Sequence, residues 1–499
     1  MKTATTQTYG IQGIRARPVS VDAHISGGLP AFNIVGLAET IVRESRERVR
    51  SAILNSGFEF PNKRITLNLS PADLPKQGGG YDLPIALALL IASGQVNCRQ
   101  SNLAFCGELS LEGECRPLRG LFPLLLRAEQ DHVRLVHPPD RAHHQGLVDE
   151  SCHEAANNLL EACAILEGKR RSSQTTAHPP CETQVQSTQL DLMDICGQAE
   201  AKAALEIAAA GGHNILLVGC PGSGKSMLAQ RLPGLLPQLN MQDAREVASI
   251  HSVCGSHRPQ PTEPPIRSPH HTASAAALVG GGAPPMPGEI TLAHRGVLFL
   301  DEFPEFAPKV LQAMREPLEN GEISVSRSSG REIYPASFQL VAAMNPCPCG
   351  YAGTDRCDCS RDQITRYQRR ISGPLLDRID LWVAVRSQAT SDVMRNQLPA
   401  GESSETVRLR VASARQIQLQ RQGCSNARLS AKQLDQVCRL DQTSREKLGA
   451  AADKLGLSLR GLHRMLRVAL TIADLQREEL AMTHIFSALG YRDTQGMLS

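Results

Sequence analysis

Residues 219–226 have the types and spacing of a phosphate-binding loop. They read GCPGSGKS, which fits the pattern G-x-x-x-x-G-K-[ST]. Glycines let backbone N–H groups turn toward phosphate oxygens, a lysine reaches the β- and γ-phosphates, and a serine hydroxyl is a ligand for Mg²⁺. The sequence therefore predicts a site for ATP and Mg²⁺ that consists of Gly219, Cys220, Pro221, Gly222, Ser223, Gly224, Lys225 and Ser226.

Two carboxylates and an amide follow apolar segments downstream of this loop. Asp301 and Glu302 come directly after Val297-Leu-Phe-Leu, and Asn345 follows the apolar run 338–343. In nucleotide hydrolysis one carboxylate assists Mg²⁺ and another residue orients the attacking water. We expect Asp301 to assist the metal, Glu302 to polarise water, and Asn345 to hydrogen-bond the γ-phosphate or that water. Taken alone, an Asn-Pro step is an ordinary turn, and only the flanking motifs favour the functional interpretation.

The elements that must position these residues follow from the apolar pattern. A parallel α/β sheet is predicted from four strand-like segments, at 214–218, 296–300, 338–343 and 381–385. From about residue 387 onward the pattern becomes helical, with helices predicted at 405–420, 431–440, 444–455, 459–475 and 482–489. The fold class is therefore an α/β core followed by a helical lid.

A separate α+β unit precedes this core. Residues 65–69 alternate as a strand does, and residues 83–92 indicate a buried helix. The polar segment 168–189 contains two prolines, lacks hydrophobic periodicity and is typical of a linker. We predict an N-terminal domain at 1–167, the linker at 168–189, the nucleotide-binding core at 190–386 and the lid at 387–499.

Composition excludes several classes of protein. At roughly 100–200 residues per domain, 499 residues predict two to four domains. The 53 Lys+Arg and 50 Asp+Glu residues give a net charge of +3, so any basic surface for nucleic acid must be local. No segment has the length of a signal peptide or membrane span, which predicts a cytoplasmic protein without a membrane partner.

Four of the 15 cysteines are clustered. Cys347, Cys349, Cys357 and Cys359 form the pattern C-x-C-x₇-C-x-C, whereas the others are scattered and do not suggest a disulfide framework. Four thiolates can complete a tetrahedral zinc site. The alternative is a loop of reduced or redox-active cysteines.

The segments GCPGSGKS, GVLFLDE, MNP and SGPLLDRID together resemble the magnesium-chelatase-like branch of the AAA+ ATPases. With the N-terminal unit, the chain resembles the ComM/YifB family over nearly its whole length. The resemblance implies a homo-oligomeric ring similar to hexameric ATPases and a DNA helicase that promotes branch migration when transformed DNA is integrated. It also implies that Arg378 reaches the neighbouring subunit's nucleotide, and that Arg460 is the second sensor of the lid, with Arg464 as a nearby competitor.

Residues 322–334 predict a β-hairpin around a Ser-Ser-Gly turn. In ring helicases a hairpin before the first sensor projects into the pore, so Arg327 and Arg331 become candidates for contacts with DNA phosphates. The alternative is a surface hairpin with solvated arginines.

A glycine- and proline-rich segment at 267–282 holds His270 and His271, which lack a third metal ligand at suitable spacing. A mobile pore or substrate loop is the favoured interpretation.

The N-terminal unit resembles the domain of Lon proteases that bears their Ser/Lys dyad. Where that domain has its serine turn, this chain reads PKQGGG, which puts Gly80 at the serine position. Without that hydroxyl no acyl-enzyme forms, so we expect no proteolysis. A DNA-binding or ring-scaffold role is favoured instead, with Lys76, Arg48 and Arg50 as candidate phosphate contacts.

The main alternative to a DNA motor is a magnesium-chelatase-like ATPase that remodels a protein partner during metal insertion. The chelatase motor subunit normally lacks a Lon-like domain, which favours the DNA motor. A third alternative is a nucleotide-dependent scaffold with little turnover, against which Glu302, Asn345 and Arg378 together argue.

Overall fold

The computed structural model divides the chain into two compact units. Met1–Val185 and Asn240–Thr262 form the first unit, and Gln186–Leu239 and Glu263–Ser499 form the second. The described residues are 2–36, 40–76, 78–140, 146–169, 190–256, 258, 260–282, 285–327, 330–388, 401–439, 441–454 and 458–492. Most of the predicted linker, residues 170–189, lies outside them.

The strands of the first unit form a mixed seven-stranded sheet and a small hairpin. They are β1 (Lys2–Gln12), β2 (Arg15–Ser26), β3 (Ala31–Val35), β4 (Arg64–Ser70), β5 (Leu103–Phe105), β6 (Glu108–Leu109), β7 (Cys115–Arg116), β8 (Arg134–His137) and β9 (His153–Ala155). The order in the large sheet is β3-β4-β2-β1-β5-β8-β9. Strand β2 pairs antiparallel with β1 and β4, and the other neighbours pair in parallel.

Four helices from the N-terminal part of the chain pack with this sheet: α1 (Thr40–Asn55), α2 (Asp82–Ser93), α3 (Leu121–Gln130) and α4 (Leu159–Leu166). Helix α2 buries residues on all its faces, which is why its sequence is apolar throughout rather than amphipathic. Its first residue, the buried Asp82, forms an ion pair of 2.7 Å with Arg48. The predicted α+β character of this unit is confirmed.

The basic residues proposed here as phosphate contacts are engaged within the unit. The prediction is wrong for Lys76, because its side chain is fully buried and its ammonium group donates to the Pro71 carbonyl. Arg48 is held by Asp82, and the Arg50 guanidinium carbon lies 5.7 Å from the centre of the Phe60 ring.

A segment from the middle of the chain completes the first unit. Helix α7 (Met241–Val253) belongs to the sequence range predicted as nucleotide-binding core, yet it packs on α3. The Ser252 hydroxyl accepts the Phe122 N–H at 3.1 Å, and Arg245 pairs with Glu129 at 3.1 Å. These contacts explain why residues 240–262 group with the N-terminal sequence.

The second unit is built on a parallel five-stranded sheet. Its strands are β10 (Ile215–Val218), β11 (Ile266–Arg267), β14 (Val297–Leu300), β17 (Gln339–Met344) and β18 (Leu381–Ala384), in the order β11-β14-β17-β10-β18. The four predicted strands are confirmed. Sequence reasoning missed β11, because it has only two residues and neither is buried.

Short elements connect these strands. They are α5 (Ala199–Gly211), α6 (Lys225–Leu235), α8 (Ala275–Val279), α9 (Glu289–Leu292), α10 (Pro308–Ala313), α11 (Arg315–Asn320), α12 (Arg361–Gln368) and α13 (Gly373–Leu376), with the strand pairs β12 (Gly280–Gly281)/β13 (Met286–Pro287) and β15 (Glu322–Arg327)/β16 (Gly330–Pro335). Segment 267–282, predicted as a mobile loop, thus contains α8 and β12. The predicted hairpin is confirmed as β15 and β16.

The C-terminal part is helical, as predicted. Its helices are α14 (Ser404–Gln422), α15 (Ala431–Cys438), α16 (Gln442–Lys454), α17 (Leu459–Gln476) and α18 (Met482–Gly490). Their apolar faces share one core with α5, α6 and the central strands. No helix among the described residues is long and apolar enough to cross a membrane.

Candidate functional site

The phosphate loop connects β10 to the start of α6. Gly222 and Gly224 have φ values of +77° and +93°, which β-carbon-bearing residues rarely adopt. Lys225 is buried, and its Nζ donates to the carbonyls of Gly219 and Cys220 at 2.7 and 2.8 Å. Burial lowers the pKa of Lys225 and the Asp301 carboxylate opposes that shift. The Lys225 side chain is therefore held inside the loop by these two carbonyls.

Two of the predicted metal-binding groups are in direct contact. Ser226, in the first turn of α6, donates its hydroxyl to Asp301 Oδ2 at 2.6 Å. Asp301 Oδ1 accepts the backbone N–H of Glu302 at 2.9 Å. A hydroxyl and a carboxylate are oxygen ligands of the kind that Mg²⁺ uses beside nucleotide phosphates.

The sheet topology explains why these residues meet. Strand β17 lies between β10 and β14, with Val218 opposite Met344 and Leu300 opposite Ala342. The carboxyl ends of parallel strands share one edge, where ligands bind in open α/β sheets. Asn345 follows β17 at this edge, and its Oδ1 accepts a hydrogen bond from Lys225 Nζ at 3.1 Å.

The loop also fits a phosphate group by its chemistry. The Ser223 hydroxyl oxygen is buried and has no hydrogen-bond partner among the described residues. A buried polar atom without a partner is costly, and a phosphate oxygen would satisfy it. Together with the Lys225 ammonium group, this supports a nucleotide phosphate as the occupant of the loop.

Glu302 has a partner that the sequence analysis did not assign. Its backbone lies in the left-handed region, with φ +52°. Its Oε2 is 2.8 Å from Nδ1 of His271, on the segment between β11 and α8. The sequence predicts the His270-His271 pair to lie in a mobile loop without a third metal ligand, and no spacing in the sequence connects it to Glu302.

Arg378 lies at the opposite edge of the sheet from the phosphate loop. Asn214 precedes β10 and donates through its side chain to the Arg378 carbonyl at 2.9 Å, whereas the phosphate loop follows β10. Four strand residues, about 13 Å, separate the two ends of β10. The structure therefore does not place Arg378 in its own chain's phosphate site.

Arg378 and Arg460 share one acidic partner, Glu319 at the end of α11. The Arg378 guanidinium forms an ion pair and hydrogen bond with Glu319, which lowers the pKa of Glu319. Arg460 lies 3.6 Å from the other Glu319 oxygen, whereas Arg464 pairs with Asp380 at 3.3 Å. The structure thus brings both predicted arginines together, through a residue that sequence reasoning missed.

The β15–β16 hairpin presents one face to the unit and one to solvent. Ile323, Val325 and Tyr334 are buried, and the Tyr334 hydroxyl donates to the Pro285 carbonyl at 2.8 Å. Arg331 is exposed on the other face, where its Nε donates to Ser324 Oγ at 2.9 Å. The Arg327 side chain lies outside the described residues.

The four clustered cysteines converge in space. Their sulfur atoms all lie within 4.8 Å of one another, and three pairs are 3.3, 3.7 and 3.9 Å apart. Tetrahedral zinc with Zn–S bonds of about 2.3 Å requires sulfur separations of about 3.8 Å. This is the one candidate metal cluster of its kind among the described residues.

Backbone N–H groups surround these sulfurs. Ala352 donates to Cys347 Sγ at 3.2 Å, and the N–H groups of Tyr351, Cys359 and Cys349 donate to Cys349, Cys357 and Cys359, respectively. The Tyr351 N–H and then the Cys347 thiol lower the pKa of Cys349 to about 6. At Cys357 and Cys359 the backbone N–H donors are outweighed by burial and the neighbouring thiols, which raise the pKa, to about 12 for Cys359. The thiolate, the form that binds zinc, is therefore favoured most clearly at Cys349.

Three protein-family models match the chain. The model described as magnesium chelatase, subunit ChlI, matches residues 191–393. The one described as subunit ChlI of Mg-chelatase matches residues 21–141, and the ChlI C-terminal model matches residues 401–492.

Two individual relatives align over nearly the full length, and a third over less than a third of the chain. The YifB protein of Escherichia coli strain K12 is 44% identical over 502 residues, which cover 100% of this chain and 98% of that protein. The competence protein ComM of Haemophilus influenzae is 44% identical over 502 residues, covering 99% of this chain and 98% of ComM. The magnesium-chelatase 38 kDa subunit of Cereibacter sphaeroides is 28% identical over 171 residues, or 30% of this chain and 51% of that subunit.

Proposed function

The chain belongs to the magnesium-chelatase-like family of AAA+ ATPases that includes YifB and ComM, and from this premise we propose that it is an ATP-hydrolysing ring motor that acts on DNA. The observation that carries the proposal is the convergence of Lys225, Ser226, Asp301, Glu302 and Asn345 at one edge of the parallel sheet. In this site, the chain itself supplies the groups that we assign to phosphate binding and water activation.

Each group has a distinct part in the proposed reaction. Lys225 binds the β- and γ-phosphates, and Ser226 and Asp301 would hold Mg²⁺, which neutralises phosphate charge when bound. Glu302 orients a water molecule and accepts its proton as the water oxygen bonds to the γ-phosphorus and the bond to ADP breaks. Asn345 hydrogen-bonds the γ-phosphate or that water.

A ring is supported by the position of the arginines. The Arg378 carbonyl lies at the edge opposite its own phosphate loop, and Arg460 shares the Glu319 carboxylate with Arg378, which supports the proposal that both arginines complete the nucleotide site of another chain. A head-to-tail interface that repeats this contact forms a ring when its rotation closes, and an open filament otherwise. We propose a hexamer, as the resemblance to hexameric ring ATPases implies.

DNA is the proposed substrate because of the ComM relationship and the exposed Arg331 on the hairpin. In this proposal the motor works in the cytoplasm, on single-stranded or branched DNA, and promotes branch migration during integration of transformed DNA. The alternative, remodelling of a protein partner, is supported by the chelatase descriptions of the family models. The model that matches residues 21–141 also carries a chelatase description, so the N-terminal unit does not by itself separate the two.

The N-terminal unit is proposed to be non-proteolytic. Gly80 offers no hydroxyl, and the Lys76 ammonium group is buried and bonded to the Pro71 carbonyl. A nucleophile and a lysine free to activate it are both needed for a Ser/Lys mechanism. A scaffold role in the ring is therefore favoured for this unit.

Zinc is the third proposed cofactor, besides ATP and Mg²⁺. The sulfur separations and the N–H donors around Cys347, Cys349, Cys357 and Cys359 fit a closed tetrahedral site. Such closed sites are structural, because no position remains for substrate.

ATP hydrolysis measured with and without single-stranded and branched DNA tests the DNA proposal. We expect DNA to stimulate turnover, and Arg331→Ala to lose most of that stimulation while basal hydrolysis is unchanged, because Arg331 is exposed and remote in sequence from the phosphate loop. Arg408→Ala is the matched control, since Arg408 forms a surface ion pair of 3.9 Å with Glu405 and lies on α14, outside the hairpin. ATP hydrolysis that none of the DNAs stimulates would favour the protein-remodelling alternative. Arg331→Ala protein that DNA stimulates as strongly as wild type would exclude the hairpin contact.

His271 should act as a positioning residue for Glu302. We expect His271→Ala to lower kcat about fivefold with little change in KM, as loss of one hydrogen bond worth about 1 kcal/mol predicts. His271→Asn, which can still donate a hydrogen bond, should recover part of kcat. His24→Ala is the control, because His24 lies on β2 of the first unit; His270 is unsuitable, since its ring centre lies 4.1 Å from that of His271. Equal losses in His271→Ala and His24→Ala would contradict the assignment.

A further inference from the structure

The four-cysteine loop is attached directly to the nucleotide site. It begins at Asn345, the residue that accepts a hydrogen bond from Lys225 at 3.1 Å, and Cys347 follows two residues later. Cys347 is fully buried. The first thiol of the cluster is therefore anchored next to the amide that we assign to the γ-phosphate.

A second attachment reaches the phosphate loop itself. Gly350 lies in the left-handed region, with φ +87°, and its α-carbon faces Pro221. A Cβ built on Gly350 would lie 2.6 Å from Pro221 Cδ and 3.7 Å from Asn345 Cγ. The distance of 2.6 Å to Pro221 Cδ is shorter than two carbon atoms can approach. The cysteine loop therefore packs against the phosphate loop so closely that a side chain at Gly350 does not fit.

The far end of the loop is also tied back to Asn345. Ser360 caps α12, which begins one residue later. From that helix, Tyr367 accepts the Asn345 backbone N–H, and Gln368 Nε2 donates to the Pro346 carbonyl at 3.3 Å. Both ends of the segment therefore converge on Asn345 and Pro346.

Between these ties the loop lacks regular structure. Residues 345–360 contain no helix or strand. Ordering a connection of this length costs conformational entropy, and a metal that joins its two halves offsets that cost. Metal binding to a site that is absent from the disordered chain contributes directly to the ordering.

We propose that zinc held by Cys347, Cys349, Cys357 and Cys359 is a brace that keeps Asn345 and Pro221 in position for ATP turnover. This inference rests on the proposed ATPase function. The four cysteines contact no phosphate themselves; they act through Asn345 and through the Gly350–Pro221 contact. Loss of the metal should therefore affect the chemical step, while the sheet that carries the site stays folded.

Zinc content and turnover of a ligand variant test the brace. Mass spectrometry should find one zinc per wild-type chain, and Cys357→Ser should lose it and lower kcat about 10- to 100-fold, as a displacement near 1 Å in a catalytic site does. Cys196→Ser, at an exposed cysteine outside the cluster, is the control and should retain zinc and turnover. Circular dichroism checks that Cys357→Ser keeps its secondary structure.

A second pair of variants separates the contact from the metal. Gly350→Ala keeps all four thiols, so we expect it to retain zinc yet lower kcat about tenfold, because the added Cβ displaces Pro221. Gly353→Ala is the matched control: its φ is +83°, so the backbone strain is similar, but a Cβ there would meet no atom within 4 Å. Equal turnover in the two variants would overturn the proposed contact.

Hydrogen exchange provides a readout that does not depend on hydrolysis. In Cys357→Ser we expect faster amide exchange at 345–352 and 219–224 than in wild type. Zinc-free protein with unchanged exchange and unchanged turnover would overturn the brace, as would freshly reduced wild-type protein without zinc. Wild-type protein that hydrolyses no ATP would instead contradict the proposed ATPase function, and the exchange comparison would still decide the brace.

Discussion

Replacing Arg378 by alanine should lower ATP turnover of the assembled ring by about 10³-fold or more, because an arginine supplied to the transferring phosphoryl group contributes about 10³–10⁵ in rate. Nucleotide binding to each chain's own phosphate loop should be nearly unchanged, since Arg378 lies at the opposite edge of the sheet. Arg378→Lys should recover only a small part of the rate, because lysine keeps the charge but not the planar guanidinium group.

Mixing two inactive variants tests whether Arg378 acts on a neighbouring chain. Lys225→Ala chains keep Arg378, and Arg378→Ala chains keep the phosphate loop. In randomly mixed rings about a quarter of the interfaces should then combine an intact loop with an intact arginine. Recovery of turnover on mixing is the expected result. A mixture as inactive as its components would contradict action between chains.

The contact with Glu319 adds a structural condition to this proposal. In a single chain, the Arg378 guanidinium is held by Glu319 and by the Pro374 carbonyl, at 2.6 Å from the latter. To reach a phosphate on the neighbouring chain, Arg378 must exchange the Glu319 carboxylate for the phosphate. Both are anions that bind guanidinium through paired hydrogen bonds, so the exchange keeps the charge of Arg378 neutralised.

Replacing Glu302 by glutamine should abolish hydrolysis while ATP still binds. We expect single-turnover rates to fall by about 10²–10⁴-fold, the contribution of a positioned acid–base group. Lys225, Ser226 and Asp301 are unchanged, so the affinity for a fluorescent ATP analogue should stay within about twofold, well below 1 kcal/mol. Glutamine has the same shape, and its amide can still hydrogen-bond His271, so local structure should be preserved.

A neighbouring carboxylate serves as the control for this variant. Glu305 is exposed and pairs with Arg370 at 2.8 Å, at the surface of the same unit. Glu305→Gln should hydrolyse ATP at close to the wild-type rate. If Glu302→Gln were as active as Glu305→Gln, Glu302 would not be the group that activates water.

Local patterns predicted much of the second unit. The central strands β10, β14 and β17 are apolar apart from Gln339, because a parallel sheet covered on both faces buries every residue of such strands. The edge strand β18 is also apolar, with its last residue half-buried. The phosphate loop follows one of these runs directly in sequence. Once the strands are recognised as parallel, the meeting of Lys225, Asp301 and Asn345 follows from their positions at the strand ends.

Burial was harder to predict for basic side chains in the first unit. Lys76 is a candidate phosphate contact in the sequence, yet its side chain is fully buried, which is rare for lysine. Its burial depends on the Pro71 carbonyl that faces its ammonium group, and a turn carbonyl leaves no mark in the sequence. The grouping of α7 with α3 is similar, since nothing in the sequence of α7 identifies which sheet its apolar face covers.

By itself, the sequence determined which chemical groups the protein offers: a phosphate-loop motif, an acidic pair, an amide at a third strand end and four clustered thiols. These features can be recognised in the sequence because each consists of residues close together in the chain. The strands and helices that carry them are recognised from the spacing of nearby apolar residues. Only the tertiary structure decided which distant side chains act on them. His271 on Glu302, Glu319 between Arg378 and Arg460, and Gly350 against Pro221 are contacts between separate elements. Such contacts depend on how those elements pack, and no short-range pattern in the chain encodes them.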